Sequence, residues 1–261
     1  MANVTSTAYD ADSMTAQEFF AEHPEVGPGT DREVLTAFLP KSLCNKDLAS
    51  RLLLANLFLD WGADPSVVDS EKSNVLHSMV YRWIDPAREA PLFKRLMELG
   101  ADPNQRSPRY GWPITIMLVD PHFTEQDLAP VYDALFEHPH LEFLEPAPRS
   151  GQTMWDLVWR GQGNNPGVVA RTQRYILEHV GVPIPCPHFR RRLPDKSWLL
   201  FEDPNAFQDA AGYWHRVKTA DTPPADNEPP PPARPTGRYR IAGGTYNSSR
   251  GITRPVGVST I

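Results

Sequence analysis

One phrase occurs twice in this chain. Leu59-Asp60-Trp61-Gly62-Ala63-Asp64-Pro65-Ser66 returns as Met97-Glu98-Leu99-Gly100-Ala101-Asp102-Pro103-Asn104, with the glycines 38 residues apart. A period between about 20 and 50 residues is the mark of stacked helical or strand-helix units. Such arrays present extended surfaces to partners. The echo therefore narrows the fold before composition is considered.

Each copy has a mechanical reading. Leu52, Leu53, Leu54, Leu57, Phe58 and Trp61 recur at helical spacing, which predicts a helix ahead of the first copy. Gly62 and Gly100 stand where a helix ends in a left-handed residue, a conformation glycine adopts without steric cost. Asp64-Pro65 and Asp102-Pro103 then stop the helix and begin a turn. A second element recurs in phase: Asn74-Val75-Leu76-His77-Ser78-Met79 and Trp112-Pro113-Ile114-Thr115-Ile116-Met117 are again 38 residues apart. Thr153-Met154-Trp155-Asp156-Leu157-Val158 is a third version.

These segments resemble the Thr-Pro-Leu-His-x-Ala signature of ankyrin repeats, and the turns at 62–65 and 100–104 resemble that family's Gly-Ala-Asp-Pro-Asn loop. The resemblance covers residues 30–185 and departs from the family in its longer units, with extra chain at 83–90. It implies an all-α, ankyrin-like solenoid of about four helical hairpins, with its concave face as the docking surface. His77 would then be a structural hydrogen-bonder between neighbouring turns.

The ends read differently. Thr15-Ala16-Gln17-Glu18 and Thr30-Asp31-Arg32-Glu33 fit capping boxes, so a leading cap is expected inside a repeat domain at 13–189, with residues 1–12 frayed. Prolines crowd 183–187, and Trp198, Phe201, Phe207, Tyr213 and Trp214 follow. Residues 190–221 are expected to fold back over the last unit as a cap. Beyond them, Pro223, Pro224 and Pro229 to Pro232 favour extended polyproline II. Residues 222–261 are read as a proline-rich linker and a basic, disordered arm.

Charge divides along the same line. Residues 1–189 hold 15 Lys/Arg against 25 Asp/Glu, and residues 190–261 hold 11 against 7. An acidic body steers basic partners toward it and disfavours phosphate backbones. Nucleic acid is thus an unlikely partner. No signal-peptide pattern opens the sequence and no apolar run reaches the roughly 18 residues that span a bilayer. A cytoplasmic, monomeric protein without membrane contact is expected. Cys44 and Cys186, far apart in sequence, suit two thiols better than a disulfide.

The motifs of hydrolases, phosphate-binding loops and zinc proteases are missing from the sequence. His179, Cys186 and His188 form the nearest metal-like cluster, but their spacing is not that of a zinc site. No catalytic residue, metal or cofactor is assigned. The candidate binding residues are Val67, Val68, Asp69, Arg106, Arg109, Tyr110 and Trp112, all on the turn tips. Tyr, Trp and Arg dominate interface hot spots. The expected function is a non-catalytic protein-binding module, an immunity or inhibitor protein occluding a basic partner. A scaffold whose basic arm recruits a second partner is the alternative, and a metal-dependent enzyme using His179, Cys186 and His188 is the least favoured reading.

Overall fold

The computed structural model describes residues 4–120, 122–148, 150–161, 165–193, 197–217, 239–241 and 244–246. Residues 1–216 make one compact unit. Its helices are α1 (Val4–Ser13), α2 (Ala16–Glu22), α3 (Arg32–Ser42), α4 (Leu48–Asp60), α5 (Val75–Val80), α6 (Pro86–Glu98), α7 (Pro113–Val119), α8 (Glu125–Phe136), α9 (Met154–Arg160) and α10 (Pro166–Tyr175). A π-helical turn, Ile176–Val180, extends α10. Four strands follow: β1 (His188–Arg192), β2 (Trp198–Glu202), β3 (Ala206–Gln208) and β4 (Trp214–Arg216).

Two rows of helices carry the core. One row packs α3, α5, α7 and α9 side by side, and the other packs α4, α6, α8 and α10. The α1–α2 pair covers α3 and α4. Phe19, Phe38 and Phe58 are buried and meet edge-on or tilted, with centroids 5.8–6.2 Å apart, which joins α2, α3 and α4. Helix starts are strongly capped. Thr15, Thr124 and Thr153 each form a reciprocal capping box with the acid three residues on. At α3 the cap is Asp31, which accepts the Glu33 N–H at 2.7 Å, while Thr30 accepts from Gly27 instead.

The two echoes adopt the same local structure. Gly62 and Gly100 take φ of +103° and +110°, so any side chain there is strained. Ala63 and Ala101 donate back to Phe58 and Leu96, and Asp64 and Asp102 each accept the N–H two residues ahead. These are helix-stop hydrogen bonds, closed by an aspartate turn.

Within the second row, α4 and α6 are joined by a buried ion pair. Arg51 and Glu89 are 1% and 0% exposed at the side chain. Arg51 Nη1 donates to Glu89 Oε1 and to the Arg82 carbonyl, and Nε donates to the Asn45 carbonyl at 2.8 Å. Glu89 Oε2 accepts the N–H groups of Ile84 and Asp85 at 2.8 and 2.9 Å. One pair thus fixes two interhelical loops.

The C-terminal end overturns the all-α expectation. β1 pairs antiparallel with β2, and β3 with β4, so the fold is mixed helix and sheet. The ankyrin-repeat and solenoid descriptions conflict with this architecture. The cause is local. The aromatic pair Phe189–Phe201 faces across the strands with centroids 6.1 Å apart. The hairpins are fastened to α9 and α10: Trp159 Nε1 donates to Asp203 at 2.9 Å, Trp155 Nε1 to the Pro185 carbonyl at 3.0 Å, and Gln173 Nε2 to the Trp214 carbonyl at 3.1 Å.

The N-terminus also differs from the reading of frayed residues at 1–12. Residues 4–13 are helical, because Thr7, Ala8 and Ala11 bury against the body and Asn45 binds the Ala11 and Met14 carbonyls. Residues 217–261 form a second unit, in which β5 (Tyr239–Ile241) pairs with β6 (Gly244–Tyr246). The proline-rich linker at 222–235 and most of the basic arm lie outside the described residues. Among the described residues, no helix is long and apolar enough to cross a membrane.

Removing one partner of a buried pair leaves an uncompensated charge. Glu89→Ala should therefore cost about 3–5 kcal/mol in urea unfolding. Arg51→Met combined with Glu89→Leu should recover only part of that loss: both buried charges are gone, but the Asn45 and Arg82 carbonyls and the Ile84 and Asp85 N–H groups lose their partners.

Candidate functional site

The candidate site is built on the turn between α6 and α7. Ser107 and Gly111 exchange two backbone hydrogen bonds of 2.9 Å, closing a loop that holds Arg109 and Tyr110 at its tip. Ser107 Oγ accepts from Arg109 and Tyr110 at 3.3 Å and donates to the Glu71 carbonyl. Gly111 has φ of +77°, and a Cβ there would lie 2.8 Å from Thr115 Oγ1. Only glycine lets the loop close on α7 in this way.

The loop rests on the one before it. Gln105 Nε2 donates to the Lys72 carbonyl at 2.9 Å. His77, buried on α5, takes the Asn74 N–H on Nδ1 at 3.2 Å and approaches the Gly111 carbonyl through Nε2 at 3.0 Å. Nδ1 also lies 2.8 Å from Asn74 Oδ1, so both ring nitrogens are held by polar partners. Burial holds the His77 pKa below the usual histidine range, against the opposing pull of the Gly111 carbonyl and Asp69.

The result is an ordered ridge of rings and guanidinium groups. Tyr110 packs on Tyr81 with centroids 5.5 Å apart. Arg109 lies over Tyr110 at 5.1 Å, and Arg82 over Tyr81 at 5.8 Å. Burial pushes the Tyr110 hydroxyl up, with Arg109 opposing it. Tyr81 and Arg82 escape a sequence reading because they look like the end of an apolar helix. The available signal is spacing: Tyr81 lies three residues after Ser78, so it extends the same helical face.

Beside the ridge is an open cleft of about 780 Å³ between α3, α5 and the 64–69 turn. Ala37, Pro40, Cys44, Val67 and Val75 supply its apolar wall, and Asp69 and Ser78 also line it. The sequence-predicted residues thus fall into four groups. Arg109 and Tyr110 form the ridge. Val67 reaches the cleft, with Val68 exposed next to it. Trp112 is only 6% exposed and packs inward, with Arg106 over its ring at 5.1 Å. Asp69 spends its carboxylate on the turn, where Oδ1 accepts from Glu71 and Ser73 at 2.8 Å.

The metal-like cluster is not brought together. His179 stacks on Tyr175 at 4.4 Å, whereas His188 turns to Asp156, with Nδ1 at 3.5 Å. Burial pushes the Cys186 thiol up, away from the thiolate a metal needs. Among the described residues, no group of three His, Cys, Asp or Glu side chains could hold a metal ion. Trp155 and Trp159 are fully buried.

No protein-family model matches the sequence, and no curated protein matches it. The fold is similar to the crystal structure of a functionally unknown protein from Leptotrichia buccalis C-1013-b, with a TM-score of 0.53 and 19% identity. That match covers 68% of this chain and 98% of the other. At this identity the likeness concerns the fold alone.

His77 gives the site a pH signature. Its folded-state pKa lies below the unfolded value, so protons bind the unfolded chain more readily. The His77 contribution to stability is complete above about pH 6.5 and is lost as pH falls through the lowered folded value. The urea midpoint should drop between about pH 7 and pH 5, and His77→Gln should flatten part of that slope while lowering stability at neutral pH.

Proposed function

We propose that this chain is a non-catalytic, cytoplasmic protein-binding module that grips a basic protein partner through the Arg109–Tyr110–Tyr81–Arg82 ridge and the adjoining cleft. The ridge carries the reading. Two tyrosines and two arginines are held in one stack by Ser107, Gly111 and His77, so little side-chain entropy remains to be lost on binding. This is hot-spot chemistry on a pre-organised loop.

The excess of 25 acidic over 15 basic residues across 1–189 supplies attraction at longer range. A basic partner is drawn in by the body and fixed by the ridge. Occlusion of that partner's own working surface, as an immunity or inhibitor protein would do, is the role that needs no chemistry from this chain.

A photo-crosslinking residue at position 110 should capture the partner in cells of the native host, and the same residue at Asp133 on α8 should not. With that partner purified, Arg109→Ala combined with Tyr110→Ala should weaken binding at least about 30-fold, equivalent to roughly 2 kcal/mol. Association should slow as salt rises, because exposed charges act only within a Debye length of about 8–10 Å. Unchanged affinity in the double variant would sink the ridge as the binding element.

A further inference from the structure

Among the described residues, no strand pairs with the outer edge of β2 in the β1–β2 hairpin. Leu193 N–H donates to the Ser197 carbonyl, and Asp203 N–H to the Pro187 carbonyl, at 2.9 and 3.0 Å. Pairs 193↔197 and 187↔203 are therefore hydrogen-bonded pairs, and the alternation of an antiparallel ladder makes 191↔199 and 189↔201 the same. Leu199 and Phe201 spend their backbone groups on β1. The backbone N–H and C=O groups of Leu200 and Glu202 consequently point to the opposite side. Among the described residues, β2 pairs with β1 alone.

The strand itself carries little of the usual protection. Proteins blunt exposed edges with lysine, proline, bulges or covering elements. The strand Trp198-Leu199-Leu200-Phe201-Glu202 has no charge until its last residue. Leu199 and Phe201 are 43% and 41% exposed.

We infer that the occupant of this edge is a second copy of the same strand, joining two chains into a dimer with a continuous antiparallel sheet β1-β2-β2-β1. The sequence is self-complementary about Leu200. A two-fold axis there pairs Leu200 with Leu200 of the partner subunit through the outward-facing backbone groups, and sets residue 198 opposite residue 202. Leu199 then lies opposite Phe201 of the partner subunit in a non-hydrogen-bonded pair, where side chains approach most closely. Glu202 of the partner subunit arrives beside Trp198, over whose ring the Arg190 guanidinium already lies at 4.2 Å. Apolar meets apolar and acid meets arginine in one register. Shifting the register by one residue would turn the hydrogen-bonding groups away. Two-fold pairing of identical surfaces is also the commonest closed assembly.

The test uses the full-length chain in light scattering coupled to size exclusion, and in sedimentation equilibrium. The expected mass rises to about twice 29.3 kDa with concentration. Leu199→Lys combined with Phe201→Lys should raise the dimer dissociation constant at least tenfold, with unchanged helical circular dichroism. Glu202→Arg, which places like charges beside Arg190, should weaken the dimer while leaving the β1–β2 pairing intact. Hydrogen exchange at the Leu200 and Glu202 amides should slow as concentration rises, and exchange at Leu199 should not. A wild-type chain that stays monomeric up to about 0.2 mM overturns the inference. So does a dimer that survives both sets of substitutions, or one whose Leu200 amide exchanges at a concentration-independent rate.

Discussion

The pair Arg51–Glu89 holds together the part of the molecule on which everything else is mounted. Both side chains are buried, so their charges have no water to fall back on. Each leans on protein partners instead. The guanidinium takes two loop carbonyls besides the carboxylate, and the carboxylate takes two loop N–H groups besides the guanidinium. Such a pair is a weak source of net stability but a strong penalty on every alternative arrangement. It positions the Arg82–Asp85 loop, and hence Tyr81 at the end of α5, before any partner arrives.

The pair also shows how one slot is filled differently along a row. Asp47 caps α4 and Asp85 caps α6. Arg51 and Glu89 are each the fourth residue after their cap. In α8, capped by Thr124, that position is Leu128, and in α10, after Asn165, it is Val169. Leu128 and Val169 are buried as well. The first junction is ionic and the later ones are apolar. An ion pair there fixes which helix lies next to which, because a slipped neighbour would strand a buried charge.

What the sequence discloses follows from the range of the forces involved. Helix stops at Gly62 and Gly100, and the boxes at Thr15 and Thr153, are set by residues within four positions of each other, so they can be read directly. The hairpin β1–β2 depends on contacts between elements far apart. Trp159 with Asp203 is one, 44 residues distant, and Gln173 with Trp214 is another. No local period announces them, and the fold class was misread for that reason. Arg51 and Glu89 look like ordinary surface charges until a tertiary fold buries them. At the candidate site, Arg109 and Tyr110 could be named because a large aromatic beside an arginine in a turn is conspicuous. Trp112 has the same look but serves as the residue before Pro113 at the start of α7, and it turns in beneath Arg106.

The third residue of α5, α7 and α9 makes the same point about function. His77, Thr115 and Asp156 occupy that slot. His77 spans to the Gly111 carbonyl, 34 residues ahead. Asp156 closes its own cap with one oxygen and takes the His188 N–H with the other at 2.7 Å. Thr115 is shorter and reaches only the Trp112 carbonyl at 2.7 Å. Side-chain length decides whether the slot ties its helix to the next element or only to itself. Where the tie exists, the element beyond is an exposed one. His77 secures the loop bearing Tyr110, and Asp156 secures the hairpin bearing Phe201. Both surfaces proposed for recognition are therefore anchored by a buried polar side chain in the same helical slot. A neutral imidazole holds the first, so acid weakens it through protonation of a ring buried neutral.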